Sequence, residues 1–342
     1  MLRRFRPRFE ESKKQVGRGG RGLDTYFGNV NSEKLKSDLT MTTRICNLGS
    51  LNIDHVYSVE SFVRSGETLS CSNYKRYAGG KGLNQSIACA RAGAKVYHAG
   101  AIGTDGGFLK EELQKTGVET EYVKAIHEPT GHAVIQVSSK GENSIITYGG
   151  ANRCIENADL DGVLANFDSN DILLVQNETN IVSSAISKAR DRGMKIIINP
   201  SPATAELKEL SLEETAFLVL NEIEGEFLTG HLEPDKAIDD LCKRYSDTWI
   251  VLTMGAKGVK YGKGNYRSFI PAFKITPVDT TAAGDTFTGY LSASVAANLP
   301  MHEALLLSSK AAAICVTRHG AAPSIPTRNE VDSYAEGKVL ER

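Results

Sequence analysis

The sequence lacks most features that would settle a function quickly. It holds one tryptophan and six cysteines in 342 residues. Cys46, Cys71, Cys89, Cys154, Cys242 and Cys315 are scattered, with no C-x-x-C pair and no Cys/His grouping at zinc spacing. That excludes the common zinc modules and dithiol redox motifs. Cys89 and Cys315 sit inside apolar runs, where a thiol behaves as a small hydrophobe. A reducing compartment, the cytoplasm, is the expected location. Net charge is −1, so nothing global draws the chain to nucleic acid or to an anionic membrane. No apolar run approaches the length of a membrane span. The pattern G-x-x-x-x-G-K-S/T is absent, which excludes a P-loop.

What is present is ordinary globular composition, 24% charged and 41% hydrophobic. The length suits one large α/β domain with a small appendage, or two modest domains. Residues 1–40 stand apart. Residues 1–22 hold eight Lys or Arg against two acidic residues, without apolar periodicity. A disordered basic extension is expected there. The arginines also fit an organellar presequence, against which Glu10 and Glu11 weigh. Gly17-Arg18-Gly19-Gly20-Arg21-Gly22 fits G-x-G-x-x-G, but no strand precedes it and no helical pattern follows, so the dinucleotide reading is rejected. Met41 opens the folded domain, expected over 41–342.

Two kinds of segment follow. Ile172-Leu173-Leu174-Val175, Lys195-Ile196-Ile197-Ile198, Phe217-Leu218-Val219-Leu220 and Trp249-Ile250-Val251-Leu252 are near-continuous apolar runs, as in parallel strands buried on both faces. Their spacing is that of βαβ units. The expected fold class is α/β, a doubly wound, mostly parallel sheet with helices on both faces. Polar residues end these runs, Gln176 and Glu178, Asn199, Asn221 and Thr253, where open α/β sheets bind ligands. Other segments, within about 54–78 and 130–148, alternate and predict a small antiparallel β lid.

One stretch near the C-terminus carries chemistry. Val278-Asp279-Thr280-Thr281-Ala282-Ala283-Gly284-Asp285-Thr286-Phe287 follows the β-branched pair Ile275-Thr276 and runs into Tyr290, Leu291 and Val295 at helical spacing. This predicts a strand, a tight turn and a helix tip. First-turn N–H groups lack intrahelical partners and carry the positive end of the helix dipole. Small residues let an anion reach them. A carboxylate in the same turn can take a proton from an attacking hydroxyl. The plainer alternative is that Asp285 is an ordinary N-cap.

Ala78-Gly79-Gly80-Lys81-Gly82-Leu83-Asn84-Gln85 forms a second glycine-rich entry to a helix. Together the two segments resemble the signatures of the ribokinase family of sugar kinases (PfkB-type). The likeness runs in order through Gly49-Ser50-Leu51-Asn52-Ile53-Asp54, Asn199-Pro200-Ser201-Pro202, Asn221-Glu222-Ile223-Glu224, Thr253-Met254-Gly255 and Thr317-Arg318-His319-Gly320. It implies ATP-dependent phosphorylation of the primary hydroxyl of D-ribose, with Mg²⁺ as cofactor, K⁺ as activator and a homodimer joined through the lid. No nucleic-acid or membrane partner is implied.

Residue by residue, the resemblance makes Asp285 the catalytic base and Ala282, Ala283 and Gly284, with the Asp285 N–H, the anion hole. Asn52, Asp54, Gly80, Lys81, Asn84 and Glu178 become sugar contacts. Asn52 and Asp54, at i and i+2 of an extended segment, share one side; a strand-end turn is the alternative. Asn221, Thr253, Gly255, Ala256, Gly258 and Ser309 become nucleotide contacts, beside Gly284 and Asp285. Ser309 stands where family members often carry a larger polar residue near the adenine. Glu224 would order Mg²⁺ through water, although Asn221 and Glu224 also fit a capping box. Asp279, Thr281, Cys315, Arg318, Gly320 and Ser324 would surround K⁺, mostly through carbonyls. Two kinds of alternative stay open: a family kinase acting on deoxyribose, a nucleoside or fructose, and a sugar-binding regulator without catalysis. A nicotinamide dehydrogenase lacks its fingerprint at the first strand, where Leu48-Gly49-Ser50-Leu51-Asn52 stands.

Overall fold

The computed structural model describes residues 43–334. The expected extension over residues 1–40 lies outside them. The apolar runs become strands that alternate their side chains between two faces. Ile172 and Leu174 point to one hydrophobic cluster, Leu173 and Val175 to the other. A strand buried on both faces needs helices above and below, and both layers are present.

The first strands are β1 (Arg44–Leu48), β2 (Asn52–Ser58) and β3 (Asn73–Gly79). Helix α1 (Lys81–Arg91), β4 (Lys95–Ile102), α2 (Gly107–Lys115), β5 (Glu119–Ala125), β6 (Gly131–Val137) and β7 (Asn143–Tyr148) follow. Then come α3 (Asn157–Leu164), β8 (Ile172–Gln176), α4 (Val182–Asp191), β9 (Lys195–Asn199), β10 (Phe217–Asn221), α5 (Glu222–Thr229) and α6 (Pro234–Arg244). The rest are β11 (Trp249–Thr253), β12 (Val259–Lys263), β13 (Tyr266–Ile270), α7 (Ala283–Ala296), α8 (Met301–Cys315) and α9 (Arg328–Ser333).

Nine strands form one sheet in the order β13-β12-β11-β10-β9-β8-β1-β4-β5. From β11 to β5 all neighbours are parallel; β12 and β13 extend the sheet antiparallel. Helices α1, α2, α7 and α8 cover one face, and α3, α4 and α6 the other. Strand order reverses where β1 meets β8. That is the switch point at which open α/β sheets hold ligands, outside the strands' carboxyl ends.

The second sheet has the order β3-β2-β6-β7. Its outer pairs are antiparallel, and its central pair, β2 with β6, is parallel. Strand β2 leaves the main sheet at the switch point, so Asn52 and Asp54 start from the right place to reach a ligand.

Two local expectations differ. Ile275-Thr276 forms no strand. Pro271 and Pro277 bracket it and remove two backbone donors. Asp285 is not a cap, because α7 starts at Ala283 and Asp285 is its third residue. No helix among the described residues is long and apolar enough to cross a membrane.

Candidate active site

Helix α7 begins with a sharp reversal. Its N-cap, Ala282, has φ 59 and ψ 10, the left-handed region. An L-residue there costs about 1–2 kcal/mol. Asn298 is the other described non-glycine residue with positive φ. Ala282 offers no side-chain cap, and helical bonding starts with Thr286 N–H to Ala282 O at 2.8 Å. Ala283 N–H reaches Thr280 O at 3.3 Å. The first-turn N–H groups of Gly284 and Asp285 have no intrahelical partner.

This tip opens into a cavity of about 240 Å³. Its wall includes Lys81, Asn199, Asn221, Glu224, Thr253, Thr280, Ala282, Ala283, Gly284 and Asp285. The candidate anion-hole residues, the candidate base Asp285 and the Asn221/Glu224 pair therefore share one space. Asp285 is 8% exposed. Both its oxygens are held from α1: Asn84 Nδ2 donates to Oδ2 and Gln85 Nε2 to Oδ1, each at 3.0 Å. Helix α1 can come this close because Gly289, one turn after Asp285, has no side chain. A Cβ there would lie 2.3 Å from Ala88 Cβ.

The sugar-contact candidates gather beside this carboxylate, outside the cavity wall except for Lys81 and Asp285. The N–H of Lys81 donates to Glu178 Oε2 at 3.1 Å, and the Ser50 hydroxyl bonds the same oxygen. Gly80 has φ 96, and a Cβ there would sit 2.9 Å from Ser50 O. Asn152 Nδ2 donates to Asn52 Oδ1 at 2.8 Å. Burial pushes the Asp54 carboxyl up to about 7, and the nearby Glu178 charge adds to the rise. Asp54 lies against Gly79, where a Cβ would meet Asp54 Oδ2 at 2.1 Å. Burial lowers the Lys81 ammonium, but Asp285, Glu178 and Glu224 outweigh it and hold the group above its ordinary value. Lys81 therefore stays charged.

On the other side, Asn221 and Glu224 make the reciprocal capping box. Asn221 Oδ1 accepts from the N–H of Ile223 and Glu224 at 2.8 and 3.0 Å, and Asn221 N–H donates to Glu224 Oε2 at 2.8 Å. Both residues still line the cavity. Glu224 is 3% exposed and has no cationic hydrogen-bond partner among the described residues. Thr253 ends β11 and donates to Leu220 O at 3.2 Å. Gly255 and Ala256 lie exposed in the following turn, Gly258 closes it at φ 114, and Ser309 sits on α8 with a buried hydroxyl that has no partner among the described residues. These four do not line the cavity.

The cation candidates also converge. Asp279 Oδ1 accepts from the Thr281 N–H and hydroxyl at 2.9 and 2.6 Å, and Oδ2 from Gly320 N–H at 2.9 Å. These bonds, offset by burial, hold the Asp279 carboxyl below its ordinary range. Cys315 Sγ lies 3.7 Å from Thr281 O and 3.0 Å from Ser324 Oγ. Arg318 turns its side chain to Glu330 at 2.7 Å, while its N–H bonds Cys315 O at 3.1 Å. No cluster of three His, Cys, Asp or Glu side chains among the described residues could hold a metal.

Sequence reasoning assigned no role to Gln85, Ser50 or Asn152, and placed Asn199 only at the ligand edge of the sheet. Gln85 did leave a signal: a wholly buried amide among Leu83, Ile87 and Ala88 needs partners.

The family model for pfkB family carbohydrate kinases matches residues 42–328. The chain belongs to that family. A ribokinase of Haemophilus influenzae is 38% identical over 298 residues, covering 84% of this chain and 97% of that protein. The Cryptococcus neoformans ribokinase solved with ADP is 35% identical, with a TM-score of 0.74 over 85% of this chain and 99% of its own. The Arabidopsis thaliana ribokinase solved with ribose and ATP is 29% identical, with a TM-score of 0.76 over 86% and 99%.

Proposed function

We propose that this chain transfers the γ-phosphoryl group of ATP to the 5-hydroxyl of D-ribose, giving ribose 5-phosphate and ADP. One observation carries the reading. The carboxylate of Asp285, held by Asn84 and Gln85, shares one cavity wall with the first turn of α7 and with Lys81. Asp285 takes the proton of the sugar hydroxyl as its oxygen attacks phosphorus, and the bond from phosphorus to the ADP oxygen breaks. A positioned base contributes roughly 10²–10⁴-fold. The unpartnered amides of Gly284 and Asp285 and the charged Lys81 face the migrating phosphoryl, whose barrier is mostly a matter of positioning and charge. Asn52, Asp54, Asn84 and Glu178 fix the sugar.

Glu224 fits a hydrated Mg²⁺: it is a buried carboxylate in the cavity wall with one oxygen engaged and no bonded cation. Bound there, the ion would neutralise charge on the polyphosphate. Asp279, Ser324 and the carbonyls of Thr281, Cys315, Arg318 and Gly320 offer the oxygen-rich set that a K⁺ ion needs. A homodimer through the lid fits the exposed Ile145, Ile146, Tyr74, Tyr77 and Tyr148 of the small sheet. A cytoplasmic location fits the free, exposed thiols of Cys71 and Cys154.

The test is ADP release, coupled to a chromogenic readout, across ribose, deoxyribose, a nucleoside and fructose. Ribose should give the highest kcat/KM. A preference for another acceptor would move the substrate, and silence with all of them would end the kinase reading.

A further inference from the structure

We infer that Gln85 is a positioning residue for Asp285, its orientation enforced by a one-way hydrogen-bond chain that runs through the core to His98. The inference rests on the phosphoryl-transfer reading above.

The chain is built from neutral groups whose polarity is fixed at several points. A carboxylate only accepts, so Gln85 must turn its NH₂ to Asp285 Oδ1. The same nitrogen donates to Asn199 Oδ1 at 3.0 Å. Asn199 is itself fixed, because its NH₂ donates to the Val219 carbonyl at 2.9 Å. Both Gln85 hydrogens are then used, and its oxygen faces inward to accept from Gln176 Nε2 at 2.8 Å. Gln176 gives its other hydrogen to Asn47 Oδ1 at 2.9 Å. Asn47 donates to the Gly82 carbonyl and to Ser86 Oγ, each at 2.8 Å. Ser86 Oγ in turn meets His98 Nδ1 at 2.8 Å, and its hydroxyl donates there when the ring proton is on Nε2.

His98 can accept there. It is fully buried, and burial pulls its imidazolium down to about 4, so the ring is neutral at neutral pH and has one nitrogen free to accept. Gln85, Gln176, Asn47, Ser86 and His98 are all 0% exposed. Flipping one amide would oppose oxygen to oxygen at buried contacts, where an unpaired group costs about 1–3 kcal/mol. The network therefore holds Gln85 in one pose, and Gln85 holds one oxygen of Asp285. Its members come from α1, β1, β4, β8 and β9, so the rigidity of the main sheet is passed to the reacting carboxylate. Misplacing such a group by about 1 Å can cost roughly 10²-fold in rate.

Three variants test this, each assayed for ribose-dependent ADP release and for melting temperature. Gln85→Met keeps the shape and removes the donor. It should lower kcat about 10- to 100-fold with the KM for ribose changed less than about twofold. Gln176→Met touches neither Asp285 nor the cavity; it should lower kcat by a smaller factor with the same constancy of KM. Gln85→Glu sets a second carboxylate beside Asp285, in the field of Lys81, Glu178 and Glu224, and should move the acid limb of the kcat profile upward by about one unit. A merely structural Gln85 would shift the melting temperature and leave kcat of the folded enzyme and its pH profile alone. That result, with an active wild type, overturns the inference. An inactive wild type instead removes the kinase reading. Should Gln85→Met fail to fold, Gln176→Met decides: kcat within about twofold of wild type overturns the proposal.

Discussion

On one side of Asp285 the chain offers backbone amides; on the other it offers side-chain carboxylates. The proposed phosphoryl side is built from Ala282, Ala283 and Gly284, which contribute almost nothing beyond N–H groups and the αL turn that aims them. The proposed sugar side is built from Asn52, Asp54 and Glu178, each fixed by a partner or by a neighbouring glycine. A phosphoryl group carries spread negative charge, and rigid dipoles stabilise it without moving. A sugar presents neutral hydroxyls, and only acceptors at set positions can tell one sugar from another. On the proposed reading, transfer power and sugar choice therefore rest on different chemistry, joined at one carboxylate.

The largest expected effect lies at that junction. Asp285→Asn keeps the shape and loses the base, so kcat should fall roughly 10²–10⁴-fold while calorimetry still detects ribose and ATP. Retained turnover would strip Asp285 of its role. Next comes the amide side. A Cβ at Gly284 meets no atom within 4 Å, so the fold should tolerate Gly284→Val. Its bulk competes with the phosphate, and kcat/KM for ATP should fall about 10²-fold at unchanged melting temperature. Unaltered ATP kinetics would show that the amides of α7 do not face the nucleotide.

The sugar side should respond more gently. Asp54→Asn should raise the KM for ribose roughly 10- to 100-fold, the worth of one charged hydrogen bond, with kcat nearly kept. Because the Asp54 carboxyl sits at about 7, wild-type ribose affinity should improve as pH rises through that value. The same shift has an opposite effect on stability. The folded pKa lies above the unfolded value of about 3.9, so the native state binds more protons between the two. Asp54 then makes the free protein less stable as pH climbs from about 4 through 7. Thermal melts of wild type and Asp54→Asn across that range should converge at low pH and separate above it. The smallest effect belongs to the turn: Ala282→Gly should relieve the left-handed strain and raise stability by up to about 1 kcal/mol.

The same division explains what could be read from the sequence. Strands β8 to β11 were legible because burial on both faces demands unbroken apolar runs, and their polar ends marked the ligand edge. The β6–β7 hairpin and strand β3 were legible from alternation, but the parallel pairing of β2 with β6 joins segments some 80 residues apart, which no local pattern encodes. Ile275-Thr276 misled because strand propensity is a local quantity and the flanking prolines act against the ladder. Asp54 and Glu178 could be named as single residues, yet their mutual charge effect needs three-dimensional proximity. The clamp of Gln85 on Asp285 spans 200 positions and two helices, and it depends on the missing side chain of Gly289.

The most direct test of the whole account follows the phosphorus. Wild-type protein, ATP, Mg²⁺, K⁺ and D-ribose should be incubated and observed by ³¹P NMR. The account predicts that ADP and a primary phosphate ester at the sugar 5-position grow in equal amounts, and that neither forms without ribose. ADP accompanied by inorganic phosphate, with no sugar ester, would contradict it.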